Sequence, residues 1–295
     1  MIVQCGRELK KEEIDLIKDT VGTFPKLSRS ELAHTVCEHL GWYTASGGNK
    51  VDACLKLLQR LESQGGIRLP EKRDSSPPSL TQPVATKRTD PRGPVTGKLS
   101  GIGRVDLRVA TDKDDTALFN EFIERYHYLG YKRPFGCYLR YFVEAAGSIL
   151  GCMLFSGAAR ALKSRDRWIG WSADARLRNL GYVVNNGRFL ILPWVRVRYL
   201  ASHALGKALK ELGRDWCQRW GYRPVLVESF TDPRHYDGTC YRAANFTYLG
   251  MTTGMGLVRN NKSYKTSPKK IFVYPLVDNF RQILCSRNGL GGGER

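Results

Sequence analysis

Arg188-Phe-Leu-Ile-Leu-Pro-Trp-Val-Arg196, then Leu200 to Trp220, then Pro224-Val-Leu-Val-Glu-Ser-Phe230 follow one another, and their reading decides the fold. The first run is too continuously apolar for a strand with one wet face, so it reads as a strand buried on both sides. In the second, Leu205, Ala208, Leu209, Leu212 and Trp216 fall on one helical stripe. The third is a second buried strand, followed by a short helix from Thr239 to Asn245 and a strand opening at Tyr248-Leu-Gly250. Strand, crossover helix and strand in one unit predict parallel pairing. The carboxyl ends of such strands are where α/β sheets place ligands.

Working outward, Val105 to Val109 alternates as a strand, and Asp115 to His127 carries Leu118, Phe119, Phe122 and Tyr126 inward as a helix. Cys137 to Ala145 and Ser148 to Phe155 flank Gly147 as a hairpin. A helical patch is expected at Ala158 to Lys163 and an Arg-rich helix at Ala173 to Leu180. A glycine- and lysine-rich excursion from Gly254 to Lys270 precedes a last strand, Ile271-Phe-Val-Tyr274. The class is therefore α/β, an α+β mixed sheet, over residues 105–280, with 281–295 expected as a flexible tail.

Residues 1–70 read as three helices: Lys10 to about Val21, a second opened by the capping box Ser28-Arg-Ser-Glu31, and Asn49 to Gln64. Ile67-Arg-Leu-Pro70 then looks like an edge strand. That order suits a small helical, winged-helix or helix-turn-helix module offering Lys50, Lys56, Gln59 and Arg60 outward. A helical docking domain with a solvated face is the competing reading. Residues 71–104 hold Pro77, Pro78, Pro83, Pro91 and Pro94 among Ser, Thr, Lys and Arg, a flexible basic linker with almost nothing to bury.

The net charge of +19 is uneven. Residues 1–70 carry 10 Lys+Arg against 9 Asp+Glu, whereas residues 105–295 carry 30 against 16. The excess on the larger domain points to a polyanion, nucleic acid before a phosphate-rich cofactor. The eight cysteines form no C-x-x-C pair and read as reduced core residues of a cytoplasmic protein. No signal peptide or membrane span is seen, so no membrane partner is expected.

The element order over residues 105–276 resembles the GNAT acyltransferase fold, a mixed sheet splayed between its fourth and fifth strands. That resemblance implies coenzyme A held on backbone amides at a helix start patterned R/Q-x-x-G-x-G/A. Here Arg198-Tyr-Leu-Ala-Ser-His203 stands in that place, with Ala201 for the first Gly and His203 at the last. Arg196, Arg198 and Ser202 still favour an anion there, but coenzyme A is disfavoured.

Longer motifs are similar to another family. They are His127-Tyr-Leu-Gly130, Arg165-Asp166-x-Trp168-Ile-Gly-Trp171, Asn185-Asn186-x-Arg188-Phe-Leu-Ile-Leu-Pro-Trp194, Glu228-Ser-Phe-x-Asp232 and Gly238-Thr-Cys-Tyr-Arg-Ala-Ala-Asn245. They resemble the A-type component of the Druantia anti-phage system, a family long called a domain of unknown function. The resemblance implies bacterial defence loci, transposon-like mobile elements and a DNA-centred role. The partners it implies are DNA, as duplex or as distorted or single-stranded ends, and a helicase or nuclease of the same locus.

Glu228 and Asp232, near the end of a buried strand, with Asp166, are candidates to hold Mg²⁺ and drive strand cleavage or transfer. The competing reading pairs Glu228 with a core-facing arginine such as Arg188 or Arg242. Tyr241 is a candidate general acid or nucleophile, or else a packing aromatic, and His127 and His203 are candidate bases. Arg165, Arg188, Arg196, Arg198, Ser202, Arg242, Asn245, Lys262, Lys265, Lys269 and Lys270, with Lys50 and Arg60 of the small module, are candidate phosphate ligands. Trp168, Trp171, Trp194, Tyr199, Tyr236 and Phe246 lie near arginines in a pattern that suits base stacking if exposed, and core filling if not. The expected function is DNA binding and processing; acyl transfer and a non-catalytic scaffold are the alternatives.

Overall fold

The computed structural model describes residues 2–5, 7–44, 48–71, 82–134, 136–254 and 267–286. A hairpin of β1 (Ile2–Gln4) and β2 (Arg7–Leu9) precedes helices α1 (Lys11–Thr23), α2 (Arg29–His39) and α3 (Val51–Ser63). The capping box closes as expected: Glu31 N–H donates to Ser28 Oγ at 3.3 Å and Ser28 N–H to Glu31 Oε2 at 3.2 Å. Ile17, Leu32, Val36, Leu57, Leu58 and Leu61 fill the space between the helices. The strand expected at Ile67–Pro70 does not form. Pro70 has no N–H to give a ladder, and Leu69 N–H goes instead to the Glu62 carboxylate at 2.9 Å.

The linker expectation is also corrected. Its second half is stitched to the core through β3 (Val95–Gly97) and through Thr86 and Thr89, which donate to the buried carboxylate of Glu121. An acid that is 94% removed from solvent needs such donors, and the threonines supply them.

The core then runs β4 (Val105–Val109), α4 (Lys113–Tyr126), β5 (Tyr138–Ala145), β6 (Ser148–Gly157), α5 (Lys163–Ile169), α6 (Ala173–Asn179), β7 (Val183–Ile191), β8 (Val195–Val197), α7 (Leu200–Trp220), β9 (Leu226–Thr231), α8 (Thr239–Ala243), β10 (Thr247–Met251), β11 (Lys270–Pro275) and α9 (Phe280–Cys285). Among the described residues the main sheet has the order β10-β11-β9-β7-β6-β5-β4. All neighbours are antiparallel except β7 and β9, the predicted parallel pair. That pair is hydrogen-bonded only from Val183↔Leu226 to Asn186↔Ser229, while β7 continues to Ile191. β7 and β9, the fourth and fifth strands of the main sheet in chain order, therefore diverge toward their carboxyl ends, and the core is GNAT-like.

α7 matches its prediction, burying Leu205, Ala208, Leu209, Leu212 and Trp216. The fourth strand does not. It begins at Val183, takes in Asn185, Asn186 and Gly187, and breaks at Pro193 before the short β8. From Arg188 to Ile191 only Leu190 is fully buried, so the run is not covered on both faces. The helix expected at Ala158–Lys163 starts one turn later, as α5. α9 replaces the expected loose start of the tail: Phe280 and Leu284 are buried, and Asn179 Nδ2 donates to the carbonyls of Leu284 and Ser286, both at 2.9 Å. Lys262 and Lys265 of the excursion lie outside the described residues.

The helical unit packs directly on the core. Phe24 meets Tyr222 edge-on at 5.3 Å, and Gly181 leaves the space its ring fills, since a Cβ there would stand 2.3 Å from the ring. Lys26 Nζ reaches the carbonyl of Gln218 at 3.0 Å, Gly136 N–H donates to Glu31 at 3.2 Å, and the Arg160 guanidinium lies over the Tyr43 ring.

Candidate functional site

Where β7 and β9 part, their side chains divide between two faces. Asn185 stands beside Glu228 and Asn186 beside Ser229. A bulge then intervenes: Asn186 pairs with Phe155 and Arg188 with Leu154, leaving Gly187 unmatched. The extra residue returns Arg188 to the face that carries Asn185 and Glu228.

Glu228 is fully buried, and its partner is neither Arg188 nor Arg242 but Arg165 of α5, also fully buried, at 2.7 Å. Ala159 N–H donates to the other carboxylate oxygen at 2.6 Å. Arg165 also grips Asp166 through Nε and Nη2 at 3.0 and 2.8 Å and lies over the Trp171 ring. Asp166 further accepts from Trp171 Nε1 at 3.1 Å and Arg176 Nη1 at 3.2 Å. The Arg165-to-Trp171 motif is thus an internal ion network that ties α5 and α6 to β9. Burial raises the Glu228 carboxyl above its ordinary range despite Arg165. The expectation that Arg165 binds phosphate is corrected, because its guanidinium has no solvent face.

Asp232 is equally engaged. Its carboxylate accepts from Arg234 Nε and Nη2 at 3.1 and 2.8 Å, from Arg234 N–H at 3.0 Å and from Ser267 Oγ at 2.5 Å. Arg234 and Ser267 hold it well below the usual carboxylate range. Glu228 and Asp232 therefore do not form a metal pair. Among the described residues no group of three or more His, Cys, Asp or Glu is placed to hold a metal ion. The donors expected for Mg²⁺ are spent on arginines, and the residues do not suit that ion.

Tyr241 is buried, its hydroxyl donating to Asn186 Oδ1 at 2.7 Å and its ring stacked on Phe272 at 5.4 Å. Burial pushes its hydroxyl above the ordinary tyrosine range. Its role is packing α8 onto the sheet, which corrects the nucleophile and general-acid reading. Gly238 permits that packing: its φ is +77°, and a Cβ would meet the Phe272 ring at 2.5 Å.

The open chemistry lies at the mouth of the divergence. Arg188 donates Nε to the Gly130 carbonyl at 3.0 Å and Nη1 to the Gly187 carbonyl at 2.8 Å. Among the described residues it makes no ion pair, and burial lowers its pKa from the ordinary arginine value. Beside it, burial, then Arg188 and Lys269, push His127 down to about 4. Leu129 N–H donates to its Nδ1 at 3.2 Å, so the ring is neutral at pH 7 with its proton on Nε2. Tyr128 stacks on His127 at 4.9 Å and meets His235 at 4.6 Å and Tyr236 at 5.8 Å. Tyr128 is 37% exposed and Tyr236 59%. Sequence reasoning missed Tyr128 and His235; the signal was the Asp232-Pro-Arg-His-Tyr236 turn, in which Asp232 Oδ1 accepts the Arg234 N–H.

The other predicted cations are not gathered here. Arg196 and Arg198 are exposed before α7, with Arg198 over the Tyr199 ring and its N–H on the Gly97 carbonyl. Ser202 turns its hydroxyl back to the Tyr199 carbonyl at 3.1 Å. With His203, Lys207, Lys210 and Arg104 it lines a cavity of about 590 Å³ along α7. Lys270 is paired with Asp237 at 2.9 Å, and Arg242 reaches the Asp237 carbonyl at 3.3 Å. Asn245, at φ +63°, ends α8 as an exposed left-handed residue. Lys50 precedes α3, and Arg60 reaches the Val3 carbonyl at 3.2 Å. Of the predicted stacking aromatics, Tyr199 and Tyr236 are exposed, while Trp171 and Phe246 are buried. No helix among the described residues is long and apolar enough to cross a membrane.

Comparison with known proteins places two likenesses beside this geometry. A family model described as Druantia protein DruA matches residues 85–263. Similar solved structures include an aminoglycoside acetyltransferase with coenzyme A (16% identity, 58% of this chain, 95% of that one, TM-score 0.36). Others are a polyamine N-acetyltransferase of Drosophila melanogaster (11%, 58% and 100%, 0.37) and an N-acetyltransferase of Staphylococcus aureus Mu50 (14%, 59% and 100%, 0.36). No curated protein sequence matches the chain.

Proposed function

The chain belongs to the Druantia protein DruA family, and from that premise we propose that its core binds DNA at the mouth between β7 and β9, in anti-phage defence. One observation carries the reading: Arg188, a half-buried guanidinium with no counter-ion among the described residues, beside a neutral imidazole on which Lys269 also acts. Withdrawing a cation from water without a partner is costly, and a phosphate oxygen on its free edge offsets that cost. The +14 balance of residues 105–295 draws a polyanion toward the same domain. Since Glu228, Asp166, Asp232 and Tyr241 are engaged internally, the site grips DNA and leaves cutting or joining to a partner protein such as a helicase or nuclease of the same locus.

Titration of labelled DNA against salt tests this. Affinity is expected to fall about ten-fold or more between low and moderate salt, and Arg188→Gln to weaken binding and reduce the log–log salt slope by about 1. Absence of measurable affinity at low salt removes the reading.

Acyl transfer is the second reading, favoured by the cationic cavity beside Ser202 and His203 at the start of α7. The residues suit coenzyme A poorly: Ala201 replaces glycine, Ser202 is bonded to its own turn, and Tyr241 has no free hydroxyl. Thermal stabilisation by acetyl-coenzyme A at millimolar concentration would restore it; no shift removes it.

A further inference from the structure

Resting on the DNA reading above, we propose that the mouth takes an unstacked base, so that its substrate is single-stranded or frayed DNA rather than intact duplex. Tyr128, His235 and Tyr236 form a fan of rings, with interplanar angles of 38° between Tyr128 and His235 and 56° between Tyr128 and Tyr236. The fan is too splayed and too close to admit a base between its rings. Tyr236, 59% exposed, instead presents an outer face to solvent.

That face is held in place. The His235 and Tyr236 N–H groups both donate to the Asp232 carbonyl, at 3.0 and 2.9 Å, and the Asp232 carboxylate fixes Arg234 and Ser267. Tyr128, behind it, is seated on the neutral ring of His127. A large apolar ring kept exposed on a braced turn costs little further ordering when a planar partner arrives. The bases of a duplex cover one another and show proteins only their edges in the grooves. An unpaired base offers the π-face such a ring receives. Arg188 and Lys269, both near enough to His127 to act on its charge, supply the positive field for the adjoining phosphate.

The test uses the full chain and fluorescence anisotropy with one labelled oligonucleotide, alone and as a blunt, hairpin-capped duplex. The single strand is expected to bind at least about ten-fold more tightly. Tyr236→Ala should lower its affinity by about 5- to 150-fold, the range of one base–aromatic stack. Tyr236→Phe, which keeps the ring, should restore it, and the duplex should change little in either variant. A 2-aminopurine in the strand should lose fluorescence on binding the parent protein and not on binding Tyr236→Ala. Equal affinity for both DNAs with a silent Tyr236→Ala overturns the inference and leaves the DNA reading standing. No binding to either DNA, in parent and variants alike, removes that reading itself.

Discussion

Replacing Glu228 by Gln removes one charge of a pair whose two side chains are both fully shielded from water. The amide still accepts the Ala159 N–H, and Arg165 still holds Asp166, so the substitution isolates the Arg165–Glu228 contact. Breaking one side of a buried pair costs about 3–5 kcal/mol, and the residual Asp166 contact places Glu228→Gln near the lower end. At roughly 2–4 °C per kcal/mol for a domain of this size, the melting temperature should drop by about 6–12 °C. Scanning calorimetry of the variant, of Arg165→Met, and of the double variant Arg165→Met/Glu228→Leu provides the assay. The double variant should be more stable than either single, since no uncompensated charge is left in the core. DNA affinity should stay at the parent level in Glu228→Gln below its unfolding temperature. A Glu228→Gln variant that melts with the parent would refute the reasoning, because the buried pair would then contribute nothing to the fold.

Tyr241→Phe deletes the buried hydroxyl that donates to Asn186, so stability should fall by about 1 kcal/mol with DNA affinity unchanged; a variant of parental stability that loses DNA affinity would contradict the packing role. His39, held down to about 4 by burial and Arg178, and His127, also about 4, both remain neutral in the folded chain. Near pH 6.5 and below, the unfolded chain takes up protons that the folded chain refuses. The stability these residues contribute is therefore whole above that pH and is lost as the pH falls toward 4. Thermal unfolding at stepped pH should show the decline, and His39→Gln should flatten part of it; a profile level from pH 7 to 5 would count against the burial of both rings.

The parts legible in advance were those governed by local pattern. The stripe of α7, the hairpin around Gly147 and the Ser28 capping box each depend on residues a few positions apart. The start of β7 was hidden because Asn185-Asn186-Gly187 has turn chemistry, yet Asn186 finds its partners across the sheet, in the Leu154 carbonyl and Tyr241. That Glu228 would be paired was foreseeable from burial. Which arginine would do it was not, since Arg165 is 63 residues away and arrives through tertiary packing. Thr86 and Thr89 were misread for the same reason: Glu121, which orders them, lies more than thirty residues on. The rigid presentation of Tyr236 likewise needed the turn at Asp232, whose bond to Ser267 spans the excursion.

Phe24, seated where Gly181 has no side chain, makes the helical unit a fixture of the core. Lys56 and Arg60 on α3 consequently keep a set position relative to the rim around Arg188. A strand long enough to touch both would be measured as by a caliper, not groped for by a hand on a string. Protected lengths in a nuclease digest should then fall into one narrow class.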